Sequence, residues 1–164
     1  MTRKFDSEIM VNSSDKWIFR GNEIHQEDIL NYFRKNLKQD SIGVYIDNRF
    51  GELAENGYVL LQGYPYHVTT IIEENNELIF ETDRGIKLNI DDVQLFRNQE
   101  GNIVGHKNEE DKILFRFSIN ASTKLSEWLE EDGDEYKIQF QNRSVPLPEF
   151  KNSIEISLPS SYEN

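Results

Sequence analysis

One stretch of the chain, residues 17–46, constrains the fold more than any other. In residues 17–20 the aromatic side chains Trp17 and Phe19 alternate with Ile18 and Arg20, which is the period-two pattern of a strand. A helix is then predicted over about residues 26–38, because apolar residues recur on one stripe with acidic residues before them and basic residues after them. The stripe consists of Ile29, Leu30, Phe33 and Leu37. A short strand ending at Ile46 completes a strand–helix–strand unit.

Most of the remaining sequence has the pattern of short strands. Between residues 43 and 96, alternating runs are separated by turns rich in Gly, Asn and Asp, and such short connections favour antiparallel neighbours. The Asn56-Gly57 pair, for example, is a turn signal in front of a strand. A second helix is predicted over about residues 121–131, with Asn120 as its N-cap, and further strands follow it.

The unit around the second helix matches the first when Lys16 is placed on Lys112. Phe19 and Arg20 then also fall on identical residues, and the apolar positions of strand, helix and strand agree without a gap. The match predicts an internal duplication. Because Arg20 and its neighbours recur in both copies, they are interpreted as scaffold, and function is expected in the β-rich segment between the copies.

The predicted fold class is therefore α+β, with two similar lobes. Each lobe is expected to be a curved, mostly antiparallel sheet covered by one helix. The expected division is an N-terminal arm at 1–15, a first lobe at 16–84, a second lobe at 85–150 and a flexible tail at 151–164.

A set of residues in the predicted first lobe resembles a bacterial family of domains of unknown function. The residues that carry the resemblance are Gly21, Ile29, Phe33, Gly51, Glu52, Gly57, Tyr58 and Val59. The resemblance covers roughly residues 16–145. It implies a short cytoplasmic protein with a two-lobed α+β fold, repeated motifs and a role in signalling, and it implies no catalytic residues.

Charge and composition exclude several classes of partner. The chain carries 30 acidic and 18 basic residues, and its net charge of −12 repels nucleic acids and anionic membranes. The absence of cysteine excludes disulfides and thiolate metal sites. The sequence contains neither an apolar run of membrane-spanning length nor a signal peptide, so a cytoplasmic location is expected. Exposed sheet edges would allow a homodimer.

The candidate ligand-binding residues lie in two segments. The segment 47–52 is interpreted as a loop with two acids and an arginine, and the segment 62–67 as a rigid aromatic turn whose polar tips suit ligand contact. The predicted contacts are Arg49, Tyr64, Tyr66 and His67. No metal site is predicted, because none of the three histidines has a partner at helical spacing. No phosphate loop or nucleophile elbow indicates a cofactor or a reaction.

Three functional hypotheses remain open. The first is a non-enzymatic module that binds a small ligand or a protein and serves in signal transduction, with a groove as its site. The second is a small hydrolase or lyase, in which His67 is the general base and Asp47 or Glu52 lies nearby. The third is an acidic protein that engages a basic partner.

Overall fold

The computed structural model describes residues 2–50 and 53–150. These residues divide into two compact units, the first within residues 2–65 and the second within residues 66–150. Both units are mostly β, and each contains one α-helix. The expected boundary between residues 84 and 85 instead lies inside the second unit, because a hairpin spans it and belongs to a single sheet. The expected tail at 151–164 lies outside the described residues.

The first unit is built on a six-stranded sheet. Its elements are β1 (Thr2–Val11), β2 (Trp17–Phe19), β3 (Asn22–Glu23), α1 (Glu27–Lys35), β4 (Leu37–Gln39), β5 (Val44–Phe50) and β6 (Leu53–Leu61). The strand order is β3-β2-β1-β6-β5-β4. The pairs are antiparallel, apart from the central β1–β6 pair, which is parallel.

Strand β1 occupies most of the segment that the sequence interpreted as an N-terminal arm. It lies at the centre of the sheet, and its side chains Ile9 and Val11 are buried. The alternation of apolar and polar residues that would identify β1 as a strand is interrupted by a bulge between Asp6 and Ile9. The pairing register shifts there, and Glu8 has a φ of 61°. The bulge is stabilised locally, since Asp6 accepts a hydrogen bond from the Glu8 N–H at 2.7 Å. The extra residue interrupts the period-two alternation that marks a strand.

Gly57 lies inside strand β6 and does not form the expected turn. A Cβ at this position would lie 3.1 Å from Ser7 Cβ and 3.2 Å from the Phe5 ring. Glycine therefore allows the neighbouring strand β1 to pack closely here, which is a second common use of glycine in strands. A local dipeptide signal cannot separate this use from a turn.

The second unit contains a second six-stranded sheet followed by a helix and a small sheet. Its elements are β7 (Tyr66–Glu74), β8 (Glu77–Thr82), β9 (Lys87–Asn89), a 3₁₀ turn (Ile90–Asp92), β10 (Gln94–Arg97), β11 (Ile103–His106), β12 (Phe115–Phe117), α2 (Ile119–Leu125), a 3₁₀ turn (Ser126–Trp128), β13 (Leu129–Asp132), β14 (Glu135–Phe140) and β15 (Arg143–Pro146). The large sheet has the order β10-β11-β12-β7-β8-β9, and β13-β14-β15 form the small antiparallel sheet.

The two large sheets have the same topology. Each consists of two three-stranded antiparallel meanders, and the first strand of one meander pairs in parallel with the last strand of the other. This correspondence relates β1–β6 to β7–β12. The sequence match aligned β2, which lies next to an edge strand, with β12, which is central. The topology therefore does not support the alignment of Lys16 with Lys112.

Both predicted helices are present but are shorter than expected. Helix α1 ends at Lys35 because Leu37 begins β4 and pairs with Ile46. Helix α2 begins at Ile119, with Ser118 as the N-cap in place of Asn120; the Ser118 Oγ accepts a hydrogen bond from the Ala121 N–H at 3.1 Å. Residues 129–131 belong to β13 rather than to the helix. The expectation that one helix covers each sheet stays a prediction.

His106 in β11 is expected to make the stability of the second unit depend on pH. Burial lowers the pKa of His106 below its ordinary value of 6.5, although the Asn108 carbonyl and nearby carboxylates oppose the shift and Lys112 reinforces it. The folded protein therefore favours the neutral imidazole. This contribution to stability is complete above the pKa of the unfolded chain, about 6.5, and is lost as the pH falls through the lower pKa of the folded state.

Urea unfolding measured between about pH 7.5 and pH 5 would show this dependence as a falling midpoint. The variant His106→Gln should flatten the decline. Identical slopes in the wild type and His106→Gln would contradict the assignment.

Candidate functional site

Arg49 lies on strand β5. The segment 47–52 was interpreted as a loop, but residues 47–50 belong to this strand. Asp47 and Arg49 are two residues apart, so they share one face of β5, and Arg49 Nε lies 3.1 Å from Asp47 Oδ2. The Arg49 side chain is 72% exposed while that of Asp47 is nearly buried. Residues 51 and 52, including Glu52, lie outside the described residues. The local role of Arg49 is to neutralise a nearly buried carboxylate.

The two predicted tyrosines are core residues. Tyr64 is buried in the first unit, and its N–H donates a hydrogen bond to Asp15 Oδ1 at 2.9 Å. Tyr66 on β7 is fully buried, packs edge-on against Phe115 at 5.5 Å and lies beneath the guanidinium of Arg84. Burial raises the pKa of Tyr66 well above its ordinary value. A tyrosine that contacts a ligand needs a hydroxyl group exposed to solvent, and the buried rings of Tyr64 and Tyr66 do not provide one.

His67, the fourth predicted residue, lines a cavity of about 430 Å³ within the second unit. The cavity lies where β7, β12 and the first turn of α2 meet. The residues that line it are His67 on β7, Arg116 and Phe117 on β12, Asn102 before β11, the N-cap Ser118, and Ile119, Ser122 and Thr123 on α2.

The central parallel strand pair brings the main polar residues together. His67 on β7 is the register partner of Arg116 on β12, so the two side chains leave the sheet side by side on the same face. The chain then turns into α2 directly after β12. The Ser118 N–H donates to the Val68 carbonyl at 2.9 Å, which holds the beginning of the helix beside β7. Strand pairing thus joins residues that are far apart in sequence.

Sequence reasoning missed Arg116 because it treated this residue as the copy of Arg20. The two arginines have different environments. Arg20 is mostly exposed and pairs with Glu8 at 2.6 Å, whereas Arg116 lines the cavity. The alternation of strand β12 could have revealed Arg116, since it is the polar residue between the buried rings of Phe115 and Phe117.

Asp83, another residue missed by the sequence, is hydrogen-bonded to the backbone of His67. The His67 N–H donates to Asp83 Oδ1 at 2.8 Å, and the Asp83 N–H donates to the His67 carbonyl at 3.1 Å. The second carboxylate oxygen of Asp83 lies 3.6 Å from His67 Nδ1. The carboxylate therefore lies on the Nδ1 side of the imidazole, at a distance longer than a hydrogen bond. The two backbone hydrogen bonds fix the position of Asp83 beside His67.

The charge of the cavity lining differs from that of the whole chain. The residues that line it include the cationic Arg116 and the ionisable His67 and no acid, with the Asp83 carboxylate just outside, 3.6 Å from His67 Nδ1, whereas the chain has a net charge of −12. The hydroxyls of Ser122 and Thr123 and the amide of Asn102 add neutral hydrogen-bonding groups. This arrangement favours an anion, and acids elsewhere on the protein would repel that anion from other surfaces.

A smaller cavity, of about 210 Å³, lies in the first unit. It contains both acids and bases, and they pair with each other. Glu23 contacts Lys16 at 3.2 Å and His25 at 2.9 Å. These charges therefore compensate one another within the cavity.

Metal-binding and membrane-spanning features were predicted to be absent. Within residues 2–50 and 53–150, no group of three or more His, Asp or Glu side chains is arranged to hold a metal ion. Over the same ranges, every helix is too short or too polar to cross a membrane.

Comparison with known proteins places the fold but not the function. Neither a family model nor a curated protein matches the chain. A crystal structure of a DUF1285 family protein from Silicibacter pomeroyi DSS-3 is similar with a TM-score of 0.67 and 12% identity, over 90% of this chain and 82% of that one. A DUF1285 family protein from Shewanella baltica OS155 is similar with a TM-score of 0.53 and 11% identity, over 73% of this chain and 90% of that one.

These similarities agree with the resemblance to bacterial proteins of unknown function that the sequence indicated. Identities of 11% and 12% show a common fold alone. The described chain is thus a mostly β protein of α+β composition with two six-stranded sheets and a third small sheet. Its function has to be inferred from its own residues.

Proposed function

We propose that this protein is a binding module for a small anion, and that the anion binds in the cavity of the second unit through its carboxylate or phosphate group. The observation that carries the proposal is the side-by-side placement of Arg116 and His67 on paired strands, in a lining without a carboxylate. Of the residues predicted from the sequence, His67 is retained as a contact. Arg49, Tyr64 and Tyr66 are not part of this proposed site.

Arg116 would supply most of the affinity. A guanidinium can donate two parallel hydrogen bonds to a carboxylate or a phosphate, and such charge-assisted bonds are stronger than neutral ones. Arg116 is half-buried, so the bond would be less screened than one at an open surface. His67, next to Asp83, would add a second contact from the neighbouring strand.

The role in signalling that the family resemblance implies is part of this proposal. The cavity lining includes Ser118, the N-cap of α2, as well as three residues of the helix itself. A ligand bound there would contact both the sheet and the beginning of the helix. Occupancy could then be transmitted through the stability of α2, since its first turn depends on the Ser118 cap.

Arg116→Ala is expected to weaken anion binding by about tenfold to hundredfold, because a hydrogen bond to a charged group contributes about 1.5–3 kcal/mol. Calorimetric titration of the full chain with acetate, benzoate and inorganic phosphate would measure this loss and show whether carboxylates or phosphates are preferred. Lys87→Ala is the matched control: it removes the same charge from a side chain that is 69% exposed and pairs with Glu81.

Equal losses in the Arg116 and Lys87 variants would show that only the net charge matters and would overturn the assignment of the site. The absence of measurable binding of all three anions to the wild type would overturn the proposal itself. Chemical shift changes confined to His67, Arg116 and the first turn of α2 would support it.

A hydrolase is the second candidate, and the His67–Asp83 pair is the observation that favours it. The Asp83 carboxylate lies on the Nδ1 side of His67, and Ser122 lines the same cavity as His67. In a hydrolase, His67 would be the general base, Asp83 the acid beside it and Ser122 the nucleophilic hydroxyl. In this candidate Asp83 replaces the Asp47 or Glu52 expected from the sequence. Turnover of a chromogenic ester, lost in both His67→Ala and Ser122→Ala, would establish it. Binding of the corresponding acid without ester turnover would favour the binding module.

A further inference from the structure

We infer that the ligand of the second-unit cavity is amphipathic: its anionic group meets Arg116 and His67, and an acyl chain or aromatic ring packs against Ile119. This inference rests on the proposed function and specifies the class of ligand. It is carried by the exposed apolar side chain of Ile119 at the cavity and by the size of the cavity.

Ile119 is the first observation. It is 86% exposed, whereas the other exposed large hydrophobic side chains of the described chain are between 37% and 44% exposed. Single exposed apolar residues are common on proteins and need no explanation. Ile119 differs from the others because it also lines the cavity, at the first position of α2 directly after the N-cap. A bound apolar group would remove this side chain from water.

Phe117 lines the cavity but adds no apolar wall to it. Its ring is only 4% exposed and packs against the rings of Phe80 at 5.1 Å and Phe115 at 5.9 Å. The ring therefore lies on the face of β12 opposite Arg116. Ile119 is the apolar side chain that a ligand at Arg116 would cover.

The size of the cavity is the second observation. This half-open cavity has a volume of about 430 Å³, which is far larger than an inorganic anion or acetate requires. An anion bound to Arg116 would leave most of this volume to water. An apolar group attached to the anion would displace water from the exposed surface of Ile119, which is favourable in proportion to the apolar area covered.

Titration of the full chain with acetate, butanoate, hexanoate and octanoate tests the inference, with hexyl phosphate and inorganic phosphate as a second pair. The affinity should rise by up to about fourfold for each added methylene until the cavity is filled, the value expected for full burial of a methylene. Hexanol should bind much more weakly than hexanoate, because it lacks the charge that Arg116 recognises.

Variants at Ile119 separate the apolar contact from the anionic one. Ile119→Ser should weaken hexanoate several-fold and leave acetate unchanged, and Ile119→Leu should restore the hexanoate affinity. Leu129→Ser is the matched control, since Leu129 is an exposed apolar residue of the same unit outside the cavity lining. Circular dichroism would confirm that each variant is folded.

Two results would overturn the inference. Affinities that do not depend on chain length but are lost in Arg116→Ala would reject the amphipathic ligand and leave the anion-binding function standing. Equal effects of Ile119→Ser and Leu129→Ser on hexanoate would reject the assigned apolar contact. Failure of every anion to bind would reject both this inference and the proposed function.

Discussion

Gly63→Ala is expected to destabilise the first unit by about 3 kcal/mol, because a Cβ at this position has no space. The added atom would overlap the carbonyl oxygen of Asn12 and would lie 2.7 Å from Asp15 Oδ1. Neither neighbour can move cheaply. The Asn12 carbonyl accepts the Asp15 N–H at 2.9 Å, and Asp15 Oδ1 accepts the Tyr64 N–H, also at 2.9 Å. The substitution therefore breaks a connected set of buried or half-buried hydrogen bonds.

Urea unfolding followed by the fluorescence of Trp17, in a background in which Trp128 is replaced by Phe, would report on the first unit. Gly21→Ala serves as the control, since its Cβ would meet open space and only its φ of 82° opposes the substitution. That variant should lose about 1 kcal/mol. A Gly63 variant within about 0.5 kcal/mol of the wild type, the range of ordinary surface substitutions, would refute the close approach at Gly63.

Phe115→Ala should destabilise the second unit by about 3–5 kcal/mol, the usual effect of truncating a buried phenylalanine. Phe115 is fully buried on the central strand β12. Its ring contacts Tyr66 on β7, the first strand of the other meander, and faces Gly105 on β11, so it packs across the parallel pair and along its own meander. The space left by the ring would lie on the face of β12 opposite Arg116, and a shift of the strand into it would also weaken any ligand that depends on the geometry of β12.

Thermal and urea unfolding of the full chain, followed by the fluorescence of Trp128 with Trp17 replaced by Phe, would measure this loss. Ile119→Ala changes a side chain that is 86% exposed in the same unit and should remain within about 0.5 kcal/mol of the wild type. A loss below about 1 kcal/mol for Phe115→Ala would mean that the core of this sheet collapses around the missing ring.

The local features of the fold were largely readable from the sequence. Helix α1 was predicted because its apolar stripe, its acidic first turn and its basic last turn are all local signals. The β-rich character of residues 43–96 followed from alternation and turn residues. Helix α2 was placed approximately, but its end was overestimated because Leu129 pairs with Ile138 on a neighbouring strand. Local propensity cannot anticipate such a pairing partner.

The candidate site was only partly readable. His67 was predicted from an aromatic segment, and it does line a cavity, whereas Tyr64 and Tyr66 from the same segment are buried. Neighbouring residues of a strand point to opposite faces, so one segment contributes both a core ring and a cavity residue. Asp83 and Arg116 were missed because they reach His67 through a hairpin and a parallel strand pair.

An ordered, acidic, mostly β chain with two helices could be predicted from the amino-acid sequence, because periodicity, capping residues and charge act over a few neighbouring residues. The three-dimensional structure was needed to show that the N-terminal segment is the central strand β1, that the chain divides between residues 65 and 66, and that Arg116 lies beside His67. Each of these depends on a parallel pair between strands distant in the chain. Such pairs are selected by the burial of whole sheet faces, and that selection leaves no local pattern in the sequence.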